Sequence, residues 1–279
     1  MKIQLLSDLH LEAHPHFAPT PAPGADVLVL AGDIGSYQTG SLLGPYGEAS
    51  EFGLSRFSPL PQYAAWPTPV LFVPGNHEYD GLDFDLAHSR MRVICERLGI
   101  IWLEREVVLL QDVRFVGTTL WSDFEALIDP ADDIGAALRQ RDKAFRAANF
   151  YLRKNHSLHA GQPLLAEAVR EQSLLCQQWL RAALTREFDG ATVVVTHFAP
   201  SLQSADPRYG VTPGTAGFCN ALDELLPLAS LWLHGHLHAP SDYRHRSSIG
   251  PSCRVVANPL GYARKQEQGR FKPDTCIDI

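Results

Sequence analysis

The sequence predicts an α/β protein that contains a mixed β-sheet. Seven short apolar runs end in turn residues, which is typical of strands that are covered on both faces. Segments with helical periodicity separate several of these runs, and strands that alternate with helices define the α/β class. The later runs follow one another with less helix between them, which favours a mixed sheet over a purely parallel one. The predicted strands are 2–6, 26–31, 69–73, 113–118, 192–197, 231–235 and 254–258.

Two segments carry the predicted helices. In 83–98, Gly99 follows the apolar pattern as a C-terminal stop. The apolar residues of that pattern are Leu86, Met91, Ile94 and Leu98. In 163–184, Pro163 suits the first turn of a helix. The apolar face of this second helix consists of Leu165, Ala168, Val169, Leu175, Cys176, Trp179 and Ala183.

Two further segments leave alternatives open. Residues 34–53 are rich in Gly, Ser and Tyr, and a loop of about 20 residues in a compact domain is usually functional or disordered. Tyr37 and Tyr46 in this loop could stack on a substrate base or pack within the protein. Residues 139–160 contain six cationic residues and one acidic residue. This segment forms either a side wall that attracts a phosphate-bearing substrate or a solvated helix face.

The composition argues against several classes of protein. The chain of 279 residues carries a formal net charge of −7, so we do not expect a general nucleic-acid binder. Its five cysteines lie far apart and form no C-x-x-C pair, which is typical of reduced thiols in a cytoplasm. The first apolar run is too short for a signal peptide, and no apolar stretch approaches the roughly 20 residues that span a membrane. The sequence therefore predicts a soluble cytoplasmic protein with no membrane partner.

Possible metal ligands follow five of the predicted strands. In open α/β folds, ligands bind beyond the carboxyl ends of the strands, so these side chains could converge in one cleft. Taken singly, each is more often a turn residue, a helix cap or a buried histidine. Together they favour a metal site. The candidate ligands are Asp8, His10, Asp33, Asn76, His197, His236 and His238.

The spacing of these residues indicates the direction in which their side chains point. Residues two apart on an extended chain point the same way. Asp8 and His10 could therefore face one ion, and His236 and His238 could project together from the start of one loop. Glycines precede three of the candidate ligands and allow a tight bend and a close approach of the backbone. These glycines are Gly32, Gly75 and Gly235.

The ordered motifs resemble the signature of the calcineurin-like metallophosphoesterases. They read D-x-H from Asp8, G-D at Asp33, G-N-H-E from Gly75, a histidine at His197 and G-H-x-H from Gly235. The resemblance implies two packed, mainly mixed β-sheets flanked by helices. Because the motifs span most of the chain, it also implies a single domain over 1–279, with a helical lid or insert at about 131–160.

The resemblance further implies a centre of two divalent metal ions. Asp8, His10 and His238 would bind the first ion, Asn76, His197 and His236 would bind the second, Asp33 would bridge them, and His77 would act as the catalytic histidine beside the scissile phosphate. Carboxylate, amide and imidazole ligands suit Mn, Fe, Zn or Ni. We place His234 outside this ligand set, as a hydrogen-bonding neighbour.

The resemblance implies an enzyme that hydrolyses a small-molecule phosphate ester with water activated at the two ions. The stretches "GDIGSYQ" and "PGNHE" lack both arginines that bind substrate phosphate in the serine/threonine protein phosphatases of the family. Phe198 in "THFAP" stands where many bacterial members have a second histidine. We predict a phosphodiesterase with a nucleotide-like substrate. The alternatives are a phosphomonoesterase or a nucleotide pyrophosphatase, and a non-catalytic protein-binding scaffold is disfavoured because every ligand position is filled.

Overall fold

The computed structural model describes residues 1–246 and 250–279, whose strands form two large sheets and one small hairpin. In chain order the strands are β1 (Lys2–Leu6), β2 (Val27–Ala31), β3 (Val70–Val73), β4 (Ile101–Trp102), β5 (Glu106–Leu110), β6 (Val113–Thr118), β7 (Leu158–His159), β8 (Gln162–Pro163), β9 (Ala191–Thr196), β10 (Leu231–His234), β11 (Ser241–His245), β12 (Cys253–Ala257) and β13 (Cys276–Asp278).

The first sheet has the strand order β13-β1-β2-β3-β4. Its four N-terminal strands run parallel, and β13 from the C-terminal end of the chain pairs antiparallel with β1. In register, Leu5 of β1 lies opposite Val29 of β2, which in turn lies opposite Leu71 of β3. The carboxyl ends of β1, β2 and β3 therefore lie along one side of this sheet.

The second sheet has the strand order β11-β12-β10-β9-β6-β5. Its four central strands run parallel, whereas the edge strands β5 and β11 are antiparallel to their neighbours. Both large sheets are therefore mixed, as the sequence predicts. The parallel pairing of β9 with β10 places the ends of these two strands next to each other.

Alternate side chains of the two sheets form a shared core. Ile3 and Leu5 of the first sheet belong to the same buried apolar cluster as Val193, Val195 and Leu233 of the second. The opposite faces of the strands pack against the helices described below. Side chains that point to both faces are buried, which explains why these strands read as continuous apolar runs.

Three α-helices flank the sheets, namely α1 (Phe84–Leu98), α2 (Ile134–Asn155) and α3 (Ala166–Leu184). α1 contacts β4, α3 contacts β6, and α2 contacts α3 and the short 3-10 helix Pro213–Gly217. Asp83 caps α1 by accepting a hydrogen bond from the Leu86 backbone, and Asp133 caps α2 in the same way. Among residues 1–246 and 250–279, none of the helices combines the length and apolarity that crossing a bilayer requires.

The sequence predictions for these elements are confirmed with three exceptions, one of which is Leu175, assigned to the apolar face of the second helix but 49% exposed. The seven predicted strands are present within one residue of their predicted ends, and α1 ends at Gly99 in the left-handed conformation (φ 67°). Pro163 does not start α3, because it lies in the hairpin strand β8 and the helix begins at Ala166. Leu86 is 72% exposed rather than part of the apolar face, since it lies about 140° around the helix from Met91.

Candidate metal centre

The seven predicted ligand residues meet where the ends of the two sheets come together. The loops after β1, β2 and β3 of the first sheet and after β9 and β10 of the second carry them. Three backbone hydrogen bonds tie the first two loops together. They run from the Asp8 amide to the Gly32 carbonyl, from the His10 amide to the Asp33 carbonyl and from the Leu11 amide to the Ile34 carbonyl. The site is therefore assembled by strand order and depends on both sheets.

Five of these residues adopt the left-handed backbone conformation that favours glycine. They are Asp8 (φ 52°), His10 (φ 47°), Asp33 (φ 54°), His236 (φ 70°) and His238 (φ 50°). The expectation that the D-x-H and H-x-H segments are extended is therefore wrong. Each such residue costs on the order of 1–3 kcal/mol, and strain of this kind concentrates at functional sites.

The first group of converging side chains consists of Asp8, His10, Asp33 and His238, whose nearest ligand atoms all lie within 4.8 Å of one another. The Nε2 atoms of His10 and His238 face each other at 2.9 Å. His238 Nε2 also lies 3.5 Å from Asp8 Oδ1. These are the four residues that the family resemblance assigns to the first ion and to the bridge.

The second group consists of Asp33, His197 and His236, again within 4.8 Å. His197 Nε2 lies 3.2 Å from Asp33 Oδ2 and 3.3 Å from the side-chain oxygen of Asn76. Asp33 thus belongs to both groups and joins them. Because this almost fully buried carboxylate is shared, the two groups form one centre rather than two separate sites.

The donor atoms fit a pair of divalent cations. Two imidazole nitrogens that face each other at 2.9 Å need a proton or a cation between them. His236 Nε2 is buried and has no hydrogen-bond partner among the described residues, although it points into the second group. A bound cation would satisfy these nitrogen atoms. The set of carboxylate, amide and imidazole donors without cysteine suits borderline ions.

Hydrogen bonds at the far ring nitrogens fix the orientation of three of these histidines. His10 Nδ1 lies 2.9 Å from Glu12, and His238 Nδ1 lies 2.8 Å from Glu267. His197 Nδ1 lies 2.8 Å from the Ala31 carbonyl. In each case the Nε2 atom is left to face the centre, which is the arrangement that metal-binding histidines usually show.

Asp33 and His10 are in the forms that bind cations. By contrast, burial lowers the pKa values of His197 and His238, but neighbouring carboxylates hold both at about 9. Burial raises the pKa of Asp33, but His197 and His77 lower it well below its usual value. Burial also lowers the pKa of His10 well below its usual value. For Glu267, burial is outweighed by the hydrogen bond from His238, and its pKa is about 2. Ionised carboxylates and a neutral imidazole are the states in which these groups coordinate metals.

His77 lies at the open side of the centre. Its ring centroid is 5.0 Å from that of His10, and its Nε2 is 4.0 Å from Asp33 Oδ2. Its Nδ1 is hydrogen-bonded to Asp80, and its backbone amide donates to Asp33 at 2.8 Å. Burial lowers the pKa of His77, but Asp80 and Asp33 raise it well above its usual value. The ring is 22% exposed and is therefore accessible to a bound molecule.

Comparison with known proteins identifies the family. The family model of the calcineurin-like phosphoesterases matches residues 1–240, which include the whole centre. The chain belongs to the calcineurin-like phosphoesterase family. It is accordingly a hydrolase that acts on phosphate ester bonds, and its clustered histidines and aspartates can hold metal.

Three proteins that are similar to this phosphoesterase share low sequence identity with it. An uncharacterised protein of Acanthamoeba polyphaga mimivirus is 24% identical over 267 residues, which cover 90% of this chain and 83% of that protein. The fold is similar to that of phosphopantetheinyl hydrolase from Mycobacterium tuberculosis, with a TM-score of 0.68 and 19% identity over 100% of this chain and 95% of the other. A dimetal phosphatase from Danio rerio aligns with a TM-score of 0.46 and 15% identity over 92% and 86% of the two chains.

Glu78 connects the loops that carry Asp33 and Asn76 in this phosphoesterase. Its carboxylate accepts hydrogen bonds from the backbone amides of Asp33 (3.1 Å), Ile34 (2.6 Å) and Gly75 (2.7 Å). It is fully buried. No role is predicted for Glu78 from the sequence, although its place as the last residue of the G-N-H-E motif is a usable signal.

Aromatic rings cover two of the candidate ligands. Tyr262 stacks on His10 with ring centroids 4.1 Å apart, and Phe198 stacks on His236 at 4.0 Å. The segment around Tyr262 is also anchored to the centre, because the Gly261 amide donates to the Asp8 carbonyl at 3.0 Å. The stretch 258–262 therefore packs against the centre through Gly261 and Tyr262.

Three other sequence predictions have definite outcomes. His234 lies outside both groups and contacts Ser204 and the Gly235 carbonyl at 3.0 Å each. Tyr37 packs within the loop, where its hydroxyl accepts a hydrogen bond from the Glu51 amide. Its ring lies 5.4 Å from that of Tyr46, so these two aromatic residues stabilise the loop itself.

Three carboxylates that the sequence predictions omit also belong to the site. Glu12, Asp80 and Glu267 complete the hydrogen bonding of the centre, and none was predicted. Glu12 follows His10 by two residues and Asp80 follows His77 by three, so proximity to a motif was a usable signal for both. Glu267 lies 29 residues after its partner His238, and no local pattern marks it.

Proposed function

We propose that this phosphoesterase hydrolyses phosphodiesters with two divalent metal ions bound to the seven converging residues. The observation that carries the proposal is the sharing of Asp33 between two groups of imidazole and carboxylate atoms within 4.8 Å. Asp8, His10 and His238 would hold one ion, and Asn76, His197 and His236 would hold the other, with Asp33 between them. Two ions held by these residues would supply a water activated at neutral pH and would offset charge on the phosphate oxygens.

His77 is the proposed catalytic side chain. Asp80 fixes its Nδ1, so its Nε2 faces the centre at the open side. A phosphate ester bound between the two groups would place an ester oxygen near this nitrogen. His77 would then donate a proton to the leaving oxygen, a role that contributes roughly 10²–10⁴-fold in rate.

The surroundings of the centre favour a diester over a monoester. A monoester dianion calls for additional cations, and the two arginines that protein phosphatases of the family use are missing from "GDIGSYQ" and "PGNHE". Beside His236 the chain instead presents the aromatic rings of Phe198 and Phe218, with centroids 4.0 and 5.2 Å away. An apolar wall of this kind suits a second ester substituent, such as a nucleoside.

Further parts of the proposal concern the whole chain. We take residues 1–279 as one domain in which about 131–160, including α2, forms a helical insert beside the site. Cys95, Cys176, Cys219, Cys253 and Cys276 are free thiols, which supports a cytoplasmic location. The donor set favours Mn, Fe, Zn or Ni, with manganese as the first ion to test.

A substrate panel tests the proposed reaction. With Mn²⁺, the protein should hydrolyse bis(p-nitrophenyl) phosphate faster than p-nitrophenyl phosphate or a nucleoside pyrophosphate. A phosphopantetheinyl ester belongs in the panel because the fold neighbour is named as a hydrolase of that group. Preference for the monoester or the pyrophosphate would replace the diesterase proposal with one of those activities.

The role of His77 has its own test. His77→Ala should lower kcat for the diester by at least about 100-fold while metal content is unchanged, because His77 is not among the proposed ligands. His156→Ala, which removes an exposed histidine at the end of α2, is the matched control and should leave kcat unchanged. Wild-type kcat in His77→Ala would remove the catalytic role of this residue.

A further inference from the structure

Phe218 is an exposed aromatic side chain in contact with the centre. Its ring centroid lies 5.2 Å from that of His236, with the planes inclined by 36°. The ring is 41% exposed, whereas Phe198, which stacks on the same imidazole, is buried. Phe218 is therefore separated from the proposed ions by the width of a single imidazole ring, and part of its surface is free.

The backbone that carries Phe218 is fixed on both sides. The preceding 3-10 helix Pro213–Gly217 packs against α2, and the Phe218 amide donates to the Thr215 carbonyl at 3.0 Å. Ser122 donates a hydrogen bond to the Ala216 carbonyl. After the ring, the Asn220 side chain donates to the Trp121 carbonyl at 2.8 Å. A ring presented by such a fixed segment loses little conformational freedom when a ligand stacks on it.

The position of Phe218 distinguishes it from a scattered surface residue. Single exposed apolar side chains are common and need no explanation. Phe218, however, follows a segment whose Tyr209 and Val211 are also exposed, at 67% and 66%. Of these three exposed residues, Phe218 contacts a proposed metal ligand, His236. The structure therefore places a rigid, partly open aromatic surface at the edge of the catalytic centre.

We infer that Phe218 forms a subsite for a planar aromatic substituent of the substrate, such as a nucleobase or an aryl group. The inference rests on the proposed phosphodiesterase function and narrows its substrate class. With the phosphate between the two groups of ligands, one ester substituent would extend past His236 and stack on the free face of Phe218. Stacking of this kind is tolerant of base identity, because every base has a π-face.

Two diesters that share a leaving group test the subsite. Thymidine 5′-(p-nitrophenyl phosphate) and methyl p-nitrophenyl phosphate differ in the substituent that remains on phosphorus. The wild-type protein should show a higher kcat/KM for the thymidine ester, and Phe218→Ala should reduce that preference about tenfold. Phe218→Tyr should retain it. Phe150→Ala removes a phenylalanine on α2 that is 59% exposed and should leave the preference unchanged.

A binding measurement separates this inference from the proposed reaction. Calorimetry should show that the Mn²⁺-loaded protein binds phenylphosphonate more tightly than methylphosphonate, and that Phe218→Ala, but not Phe150→Ala, removes the difference. Metal content and far-UV circular dichroism check that each variant is loaded and folded. If the protein hydrolyses no diester but the phosphonate difference depends on Phe218, the reaction is wrong and the subsite stands. An unchanged substrate preference and an unchanged phosphonate difference in Phe218→Ala would overturn the subsite.

Discussion

At the scale of single residues, the centre depends on groups that do not face the substrate. His238 is oriented by Glu267, which also accepts a hydrogen bond from the Tyr262 amide at 2.8 Å. Tyr262 in turn stacks on His10. One carboxylate thus fixes a histidine of the first group directly and supports another through its aromatic neighbour.

Removing the charge of Glu267 should weaken metal binding. Glu267→Gln keeps the size of the side chain, but its neutral amide oxygen accepts a weaker hydrogen bond from His238 Nδ1 than the carboxylate does. The affinity for Mn²⁺ should fall about 10- to 100-fold, as is typical when such partners are lost. A competitive titration against a fluorescent chelator measures the change.

Glu106→Gln is the matched control for this measurement. Glu106 lies on the edge strand β5 and pairs with Arg92 at 3.5 Å on the protein surface. The Mn²⁺ affinity of this variant should equal that of the wild type. Equal affinities in both variants would show that Glu267 does not orient a metal ligand.

The sequence was informative about residues that lie next to strand ends. Asp8, Asp33 and His197 could be selected because each follows an apolar run, and the structure brings them together. The backbone conformation at the site could not be read in this way. Left-handed φ values at residues such as Asp8 and His236 are imposed by the loops around them, whereas local spacing suggested extended chain.

At the scale of elements, apolar periodicity identified the buried strands and overlooked the edge strands. β5 alternates half-buried and exposed residues, and β11 is the polar stretch from Ser241 to His245. These strands lie at the two edges of the second sheet. β11 carries no continuous apolar run, whereas β5 carries one at 107–110 that the sequence predictions omit. β13 has only three residues, and its pairing with β1 joins the two ends of the chain.

Helix α1 illustrates how packing decides the environment of a polar residue. His88 on α1 is half-buried against neighbouring elements. Its Nδ1 lies 3.0 Å from the Tyr79 hydroxyl, and its ring lies 5.2 Å from that of Trp102 on β4. Burial, with a smaller contribution from Arg105, lowers the pKa of His88 to about 4.

This histidine should make the protein less stable in acid. The folded state favours the neutral ring, so the unfolded state binds more protons as the pH falls from about 6.5 to about 4. His88→Gln keeps a hydrogen-bonding group and does not titrate. When the pH is lowered from 6.5 to 5, the free energy of unfolding should decrease in both proteins. The decrease should be smaller in His88→Gln than in the wild type, by up to about 2 kcal/mol.

Urea denaturation at the two pH values measures this difference, with metal-free protein so that ligand protonation at the centre is common to all samples. His16→Gln, which changes an exposed histidine, is the control and should follow the wild type. If His88→Gln and the wild type lose the same free energy of unfolding, His88 is not held neutral by its packing.

At the scale of the whole molecule, the two sheets create the centre by meeting at the ends of their parallel strands. β1 and β2 supply Asp8 and Asp33, and β9 and β10 of the other sheet supply His197 and His236. The order of motifs along the sequence indicated the family and hence the sandwich. It did not indicate the carboxylates that complete the centre, because contacts such as that of Glu267 with His238 arise only when distant segments pack together.

The central claim is that seven residues from both sheets hold two metal ions that share Asp33. The most direct measurement is the metal content of the purified protein after Mn²⁺ loading and gel filtration, by elemental analysis. The wild type should contain two ions per chain, and Asp33→Asn should contain fewer because the shared carboxylate is lost. A wild-type protein that retains no ion, or an Asp33→Asn variant that still holds two, would contradict the account.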